Sequence, residues 1–527
     1  MDVFDFRNAL VGDYADYVRS FIHISDERIR ATVDGALEEG HLWPQPLVQL
    51  NPAYAPGGPL DALVEDGTLL PATRDVFRVG KDPDDPVGRP LVAHRHQVEA
   101  LRIAHDGHPY VVTTGTGSGK SLTYMIPIVD EVLRAGSGRG TRAIVVYPMN
   151  ALANSQMGEL EKFLGYGYGD EPPVTFARYT GQEGEDEKRA IVENPPDVLL
   201  TNYVMLELIL TRPQEHKLVN AATNLRFLVL DELHTYRGRQ GADVAMLVRR
   251  VRERLGATNL QCIGTSATMA SEGTYADRQR TVAEVATRLF GVEVTADHVV
   301  GETLERVTPE IDLADAPTAE ALRRDVEDVE ALVRRPYEDV ARSPLASWVE
   351  TTFGVAREPE TGRMIRAEPK RLEGPDGAAA DLAAALGLEK PQVRHAVRTL
   401  LLRASEMRDA SGRPLFAFRL HQFLSKGDAI YATLDAPDER HVTLDAQRFA
   451  PGRDREAVLL PLSFCRTCGH EFHTVVRTVG DDGAVTYLPR DLSGRNAGDG
   501  AEAGFLYAGR ERPWPDDDEA AAPGRTP

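Results

Sequence analysis

The sequence predicts an α/β protein whose parallel sheet is covered by helices on both faces. Short apolar runs alternate with helical segments between residues 91 and 300. One of these runs leads directly into a glycine-rich stretch, TTGTGSGKS, at Thr113–Ser121. Near-continuous apolar strands that alternate with helices are typical of a parallel sheet that is buried on both faces. The predicted strands are YVVTT at 110–114, AIVVYP at 143–148, VTFA at 174–177, DVLLT at 197–201, FLVLD at 227–231 and LQCIGT at 260–265.

Composition limits the class of protein. The 527 residues are too many for one hydrophobic core, so several domains are expected. A formal net charge of -21 argues against a chain that coats nucleic acid through bulk positive charge, although a local groove stays open. Three cysteines exclude a disulfide framework, and the first residues, MDVFDFRNAL, lack the pattern of a secretory signal. We therefore expect a cytoplasmic protein without a membrane segment.

Changes in residue pattern divide the chain into five predicted segments. Before the α/β region, apolar residues from Val18 to Val33 follow helical spacing, and Gly40 is a stop signal. The last segment has the composition of a disordered tail. The predicted boundaries are 1–90 for an N-terminal helical accessory segment, 91–300 for the α/β domain, 301–405 for a helical region, 406–490 for a β-rich region and 491–527 for a disordered acidic tail.

The glycine-rich stretch predicts a phosphate-binding loop. It lies between a buried strand and a helix, so its backbone N–H groups and the helix N-terminus favour an anion. Lys120 can reach the β- and γ-phosphates, and the Ser121 hydroxyl is placed to hold Mg²⁺. A strict Walker loop has glycine where this chain has Thr114, and a flexible glycine turn is the alternative. The predicted nucleotide-binding residues of the loop are Thr114, Gly115, Thr116, Gly117, Ser118, Gly119, Lys120 and Ser121.

A second motif, FLVLDELH at 227–234, favours the nucleotide site over the flexible turn. Its apolar strand ends in two carboxylates. Asp231 can bind Mg²⁺ through water, and Glu232 can orient and deprotonate an attacking water. A solvated acidic turn is the alternative. Two independent matches, each following its required strand, make chance agreement improbable.

These residues resemble superfamily-2 helicases of the DEAD/DEAH type, and five further segments agree. They are HRHQVEAL at 94–101, YPMNALANSQ at 147–156, YTG at 179–181, TNYVMLE at 201–207 and TSAT at 265–268. The wording of several motifs is most similar to the MrfA-like branch, which comprises DNA helicases with a C-terminal metal-binding cysteine cluster. Relatives of that branch occur in bacterial defence and repair systems.

The resemblance implies a RecA-like domain and assigns roles to particular residues. Gln97 would read adenine, and His234 would complete the catalytic set with Lys120, Asp231 and Glu232. Ser266 and Thr268 would couple hydrolysis to movement along the strand. Loops at the carboxyl ends of the strands would grip nucleic-acid phosphates without reading sequence. The implied nucleic-acid contacts are Pro148, Asn150, Gly181, Thr201 and Asn202.

The resemblance also implies a second RecA-like domain that supplies arginine fingers, and its motifs are not found in these residues. The nearest text, QRFAPGRDRE at 447–456, has the wrong spacing and is assigned to a loop. We therefore expect an ATP- and Mg²⁺-dependent DNA helicase or its N-terminal half, with RNA left open as substrate. The alternative is a non-motor subunit or truncated fragment that binds ATP and a strand and needs a partner protein with the second domain.

Two weaker signals lie downstream. Residues 380–404 resemble a helix–turn–helix, which apolar segments at 414–420 and 429–434 would turn into a winged helix; a plain helical hairpin is the alternative. Cys465 and Cys468 form a CxxC knuckle that can give two thiolates to Zn²⁺. A full site needs two more ligands, from His470, His473, His421 or His441, and a bare β-turn is the alternative.

Overall fold

A computed structural model describes residues 2–508, except 22, 116, 170, 268–272, 360, 411, 426–428, 454, 456, 481–482 and 491–500. The helices of this part are α1 Val3–Phe21, α2 Glu27–Glu38, α3 Leu60–Glu65, α4 Pro71–Val76, α5 Arg95–His105, α6 Leu122–Ala135, α7 Asn150–Leu164, α8 Glu185–Glu193, α9 Tyr203–Thr211, α10 His216–Ala221, α11 Gly238–Arg254, α12 Tyr275–Phe290, α13 Ala316–Glu327, α14 Val329–Leu332, α15 Tyr337–Ala341, α16 Pro344–Phe353, α17 Ala378–Leu386 and α18 Lys390–Glu406.

The strands follow in chain order. They are β1 Leu47–Asn51, β2 Ala53–Tyr54, β3 Pro56–Pro59, β4 Arg78–Val79, β5 Arg89–Pro90, β6 Val92–His94, β7 Tyr110–Thr113, β8 Ala143–Tyr147, β9 Phe176–Tyr179, β10 Val198–Asn202, β11 Phe227–Leu230, β12 Gln261–Ser266, β13 Val299–Gly301, β14 Leu304–Glu305, β15 Val355–Arg357, β16 Met364–Arg366, β17 Lys370–Arg371, β18 Ala417–His421, β19 Tyr431–Ala432, β20 Val442–Thr443, β21 Leu460–Phe464, β22 Glu471–Val479, β23 Val485–Pro489 and β24 Glu502–Leu506.

The chain forms two compact units that divide it differently from the predicted boundaries. The α/β unit comprises 52–307 and 355–366, and the flanking unit comprises the described parts of 1–51, 308–354 and 367–527. Residues 52–90 go with the α/β unit because Leu60, Leu63 and Phe77 are buried in its core. Backbone pairing also crosses the predicted boundaries, since β2 pairs with β14. Apolar spacing alone does not reveal such long-range pairing.

The α/β unit is built on a seven-stranded sheet with the order β13-β7-β12-β11-β8-β10-β9. All of its pairs are parallel, and all six predicted strands lie in it, so the predicted fold class is confirmed. Successive strand residues enter two separate apolar clusters: Ile144 and Leu228 lie in one, Val145 and Val229 in the other. This alternation shows that helices cover both faces. Strand β13 was not predicted, because it has only three residues.

The flanking unit contains two antiparallel sheets and the helices α1, α2 and α13–α18. One sheet has the order β17-β1-β18, and the other has the order β20-β19-β21-β22-β23, with β24 also on β22. The N-terminal helices are two rather than one, because Asp26 accepts hydrogen bonds from the Arg28 and Ile29 N–H groups and so caps α2. Ile29 and Trp43 pack with Ala432 of β19 and Leu462 of β21 in one apolar cluster.

Three downstream predictions can be compared with this unit. Helices α17 and α18 form the predicted pair, joined at Gly387, which has a left-handed φ of 63°. The predicted wing is wrong, because β18 pairs with β1 whereas β19 pairs with β20 and β21. Disorder throughout 491–527 is also wrong, because β24 pairs antiparallel with β22. The rest of that tail, 491–500 and 509–527, lies outside the described residues.

Parallel pairing occurs in one sheet only within the described part of the chain; every other strand pair there is antiparallel. The described residues of 447–456 form a loop, as expected, with a single bridge between Phe449 and Val458. No helix among the described residues has the length and apolar character needed to cross a membrane.

A substitution at Gly264 on β12 can test how tightly the sheet packs against the segment after β11. An added Cβ there would overlap Leu233 Cδ1 and lie 3.1 Å from Phe290 Cζ. We expect Gly264→Ala to lower the free energy of unfolding by about 1–3 kcal/mol through overpacking. Gly158→Ala in α7 is the control, because its added Cβ meets no atom within 4 Å. Urea unfolding followed by circular dichroism measures both, and equal stability of the two variants would contradict this packing.

Candidate nucleotide site

The glycine loop connects β7 to α6 at the carboxyl edge of the parallel sheet. Gly117 and Gly119 have φ values of +82° and +71°, which a residue with a side chain adopts only with strain. The Thr114 and Ser118 hydroxyls lie 2.6 Å apart and are buried, so they hold the two ends of the turn together. Gly115, Lys120 and Ser121 lie in the same loop, whereas Thr116 lies outside the described residues.

Helix α5 supports the loop from one side. The Gln97 amide donates to the backbone oxygens of Ser118 and Gly119 at 3.3 and 3.0 Å, and its oxygen accepts from the His94 N–H. His96 Nε2 lies 3.0 Å from the Ser118 oxygen, and burial lowers the pKa of His96 to about 4. The ring is therefore neutral and carries its proton on Nε2. Gln97 thus contacts the loop itself, and adenine reading by it stays a prediction.

The two predicted carboxylates meet the loop at the same edge. Lys120 Nζ lies 3.5 Å from Glu232 Oε1, so the sheet brings together residues of two motifs. Asp231 Oδ1 accepts a short hydrogen bond from the Thr265 hydroxyl. Burial raises the pKa of Asp231 to about 6, because desolvation outweighs the opposing hydrogen bond from Thr265. Glu232 has a left-handed φ of 53°, so its backbone is strained at the end of β11.

Strand β12 supplies the next layer of contacts. His234 Nδ1 lies 3.3 Å from both the Ser266 hydroxyl and Glu232 Oε2. The hydroxyl of Thr265, which is not among the predicted site residues, also accepts a hydrogen bond from the Glu232 N–H at 3.2 Å. One hydroxyl therefore holds both acidic residues, and its neighbour reaches His234. The position of Thr265 within TSAT was the available signal. Thr268 lies outside the described residues.

The site offers oxygen ligands of the kind that Mg²⁺ prefers, the Ser121 hydroxyl and the Asp231 carboxylate. Burial raises the pKa of the Tyr124 phenol, and the Ser121 side chain and the Asp231 charge act on the same pKa. Both predicted metal ligands therefore influence one buried side chain. This donor set fits a magnesium ion that is bound together with a nucleotide.

The predicted nucleic-acid contacts lie where three neighbouring strands, β8, β10 and β9, end. Asn202 Nδ2 donates to Asn150 Oδ1 at 2.8 Å, and Asn202 Oδ1 caps α9 at the Met205 N–H. The Thr201 hydroxyl is buried and donates to Tyr179. Gly181 has a φ of +89°.

A buried carboxylate shapes the loop that follows β9. The Glu183 carboxylate accepts hydrogen bonds from the backbone N–H groups of Thr180 and Gly181, at 2.8 Å each. These amides are therefore engaged within the loop. Pro148, which follows β8, is half-buried, and Met149 beside it is exposed.

The cysteine knuckle in the flanking unit offers two thiols, Cys465 and Cys468, as metal ligands. The Cys465 N–H donates to the His470 oxygen, and the Gly469 N–H donates to the Cys465 oxygen, which closes a tight turn. Hydrogen bonding from the Cys468 backbone lowers the pKa of Cys465. The described residues contain no cluster of three or more His, Cys, Asp or Glu side chains arranged to bind a metal. Zinc at Cys465 and Cys468 is not supported by this geometry.

Residues 94–275 contain all the predicted nucleotide and nucleic-acid contacts and match the family model described as DEAD/DEAH box helicase. This segment is a superfamily-2 helicase domain. The helicase part of the resemblance is thereby confirmed, whereas the cysteine cluster is not. The predicted residue roles within the domain stay predictions.

Several known proteins are similar to this helicase domain and its surroundings. Druantia protein DruE from Escherichia coli (strain UMEA 4076-1) is 25% identical in an alignment 383 residues long that covers 51% of this chain and 20% of DruE. The uncharacterized ATP-dependent helicase YprA from Bacillus subtilis (strain 168) is 32% identical over 34% of this chain and 23% of YprA. A crystal structure of DUF1998 helicase MrfA bound to DNA is 22% identical, covers 54% of this chain and 37% of that chain, and has a TM-score of 0.37. The match to each of these two curated relatives spans less than a quarter of the relative's length.

The raised pKa of Asp231 predicts a pH-dependent cost to folding. An unfolded aspartate titrates near pH 3.9, so this carboxylate costs nothing below about pH 4 and its full cost is reached above about pH 6. We expect Asp231→Asn to be more stable than the parent chain at pH 8, by about 1–3 kcal/mol, and the gain to shrink at pH 5. Urea titrations at both pH values measure this, with the exposed Asp243→Asn as control. A gain that is the same at both pH values would contradict the assignment.

Proposed function

We propose that this chain uses its helicase domain to bind Mg²⁺-ATP and a DNA strand, and that ATP hydrolysis drives movement along that strand. The observation that carries the proposal is the 3.5 Å approach of Lys120 Nζ to Glu232 Oε1. It joins the phosphate-binding motif to the catalytic motif within a domain that matches DEAD/DEAH box helicases. A solvated acidic turn would not need a lysine at that position.

The proposed chemistry assigns one task to each side chain. Lys120 binds the β- and γ-phosphates, which then replace Glu232 as its partner. Ser121 and Asp231 hold Mg²⁺, whose charge favours the ionised form of the buried Asp231 carboxyl. Glu232 orients the attacking water and accepts its proton. The hydroxyl of Thr265 holds the Asp231 carboxylate and the Glu232 backbone in place beside the loop.

The proposed strand site is the row of residues at the ends of β8, β10 and β9. Pro148, Asn150, Gly181 and Asn202 would contact phosphate or sugar, which carries no sequence information. The fully buried Thr201 would act indirectly, by holding the end of β10 against Tyr179. Because such contacts read backbone, they can operate in a chain of net charge -21 without a large basic face. DNA is proposed on the similarity of the motif wording to the MrfA-like branch. Tighter binding of an RNA strand of the same sequence would reverse this assignment.

A second candidate function follows from the number of parallel sheets in the described residues. The described residues contain one parallel sheet, whereas helicase motors of this superfamily close two RecA-like domains around ATP. Arginine fingers from the second domain stabilise the charge on the transferred phosphoryl group. They raise the rate of hydrolysis by a factor of roughly 10³ or more. We therefore propose that these 527 residues alone bind ATP and a strand but hydrolyse slowly, and that a further RecA-like domain, in the same or a partner chain, completes the motor.

Lys120→Ala tests the nucleotide site. The loop loses its side-chain charge toward the phosphates, so the affinity for Mg²⁺-ATP should fall at least roughly tenfold, to the limit of detection. Titration calorimetry measures it, and Lys162→Ala is the control because Lys162 is an exposed lysine outside the loop. Unchanged affinity in Lys120→Ala would remove this loop from the nucleotide site.

Glu232→Gln separates binding from hydrolysis. The change removes the proposed base but keeps the shape of the side chain and the Mg²⁺ ligand Asp231. ATP affinity should therefore stay within about twofold while turnover falls by roughly 10²-fold or more. Phosphate release is measured with and without single-stranded DNA, and the exposed Glu253→Gln serves as control. Rapid, DNA-stimulated hydrolysis by the parent chain alone would reject the second candidate function.

A further inference from the structure

The outer side of the glycine loop touches a cluster that the nucleotide chemistry does not use. Its three members are Tyr54 at the end of β2, Glu302 directly after β13, and Arg366 at the end of β16. All three belong to the α/β unit, and all three lie outside the segment 94–275 that matches the helicase family model. Their role therefore has to be argued from their contacts.

Glu302 binds the loop backbone directly. The Gly115 N–H donates to Glu302 Oε2 at 3.1 Å. Gly115 lies two residues after the end of β7, so this bond holds a peptide at the start of the loop. A backbone N–H that donates to a carboxylate makes a charge-assisted bond, which is stronger than a neutral one.

Arg366 holds Glu302 in place. Its Nε and Nη2 atoms donate to the two Glu302 oxygens at 2.7 and 2.9 Å, so the pair is bidentate. Both side chains are largely removed from solvent, with 23% and 20% of their surfaces exposed. An added Cβ on Gly115 would lie 2.6 Å from Arg366 Nη2, so the guanidinium packs directly against the loop.

Tyr54 links this cluster to the opposite support of the loop. Its hydroxyl accepts from Arg366 Nη2 at 2.6 Å. Its ring lies 5.2 Å from the His94 ring and 5.4 Å from the His96 ring. Since His96 binds the Ser118 oxygen, one connected set of contacts reaches the loop at Gly115 and again at Ser118.

We propose that Arg366 and Glu302 are positioning residues of the nucleotide site. Glu302 supplies the acceptor that orders the start of the glycine loop, and Arg366 fixes the rotamer and charge of Glu302. A loop with two glycines at positive φ loses much freedom when it orders around phosphate, and this support removes part of that cost before the nucleotide arrives. The inference rests on the proposed ATP site for its effect on affinity, but not for its effect on the loop.

The alternative is an ion pair that only ties strand β16 to the end of β13. The two roles differ in one requirement. An ion pair that only connects the two strands needs opposite charges at positions 302 and 366. A positioning role needs, in addition, a hydrogen-bond acceptor at position 302 that faces the Gly115 N–H. Arginine has no acceptor. The charge-reversed double variant Glu302→Arg with Arg366→Glu therefore restores a tie but cannot restore the bond to the loop.

The experiment measures hydrogen exchange of the peptide that covers the loop, without nucleotide, and then the affinity for Mg²⁺-ATP. In Arg366→Gln we expect loop exchange to accelerate and ATP affinity to fall, each roughly tenfold. Arg366→Lys keeps the charge but loses the fork, so it should recover part of both losses. Arg357→Gln is the control, because Arg357 lies on the same hairpin and donates to Gly362 within it.

The double variant gives the decisive comparison. Its melting temperature, followed by circular dichroism, should recover relative to Arg366→Gln while loop exchange stays fast and ATP affinity stays low. Recovery of loop exchange in the double variant would overturn the proposal, as would unchanged exchange in Arg366→Gln. If Arg366→Gln does not fold, Arg366→Lys and the double variant carry the same comparison. Fast loop exchange in Arg366→Gln together with no ATP binding by the parent chain would reject the proposed function and leave the support of the loop in place.

Discussion

The carboxyl edge of the parallel sheet is the constraint on which the candidate site depends. Strand β7 pairs with β12, and β12 pairs with β11, so the loop after β7 and the carboxylates after β11 emerge on the same side. Because these pairs are parallel, the carboxyl ends of the three strands share one edge; a reversed β11 would place its carboxylates at the opposite edge. Lys120 and Glu232 thus meet although 111 residues separate them in the sequence.

The site keeps groups that a purely structural sheet edge would avoid. The Asp231 carboxyl is desolvated enough to raise its pKa, and Glu232 is the one residue other than glycine with a positive φ in the described part of the chain. A non-glycine residue in that region costs of order 1–3 kcal/mol. The hydroxyl of Thr265 offsets part of this cost by binding both residues. Strain and desolvation at one edge are expected where charge has to be stabilised during a reaction.

The glycine loop is supported on two sides by segments of different origin. Gln97 and His96 come from α5, which lies inside the helicase match. Glu302 and Arg366 come from later segments, and the hairpin that carries Arg366 continues at both ends into the flanking unit. The chain therefore leaves the α/β unit and returns to it with this hairpin, which places Arg366 against Glu302 and the loop. Residues outside the helicase motifs thereby contact the loop at Gly115.

Motif order and apolar patterning by themselves determined the α/β class, the six central strands, the glycine loop and the acidic pair. These features are local, since each depends on a strand and the few residues after it. The pairing of β18 with β1, the strand at 502–506 and the placement of 52–90 came only from the tertiary structure. So did Thr265, Glu302 and Arg366 as partners of the site. The physical reason is that a short antiparallel strand or a single bidentate ion pair is specified by its partner far along the chain, which leaves no periodic signal in the sequence around it.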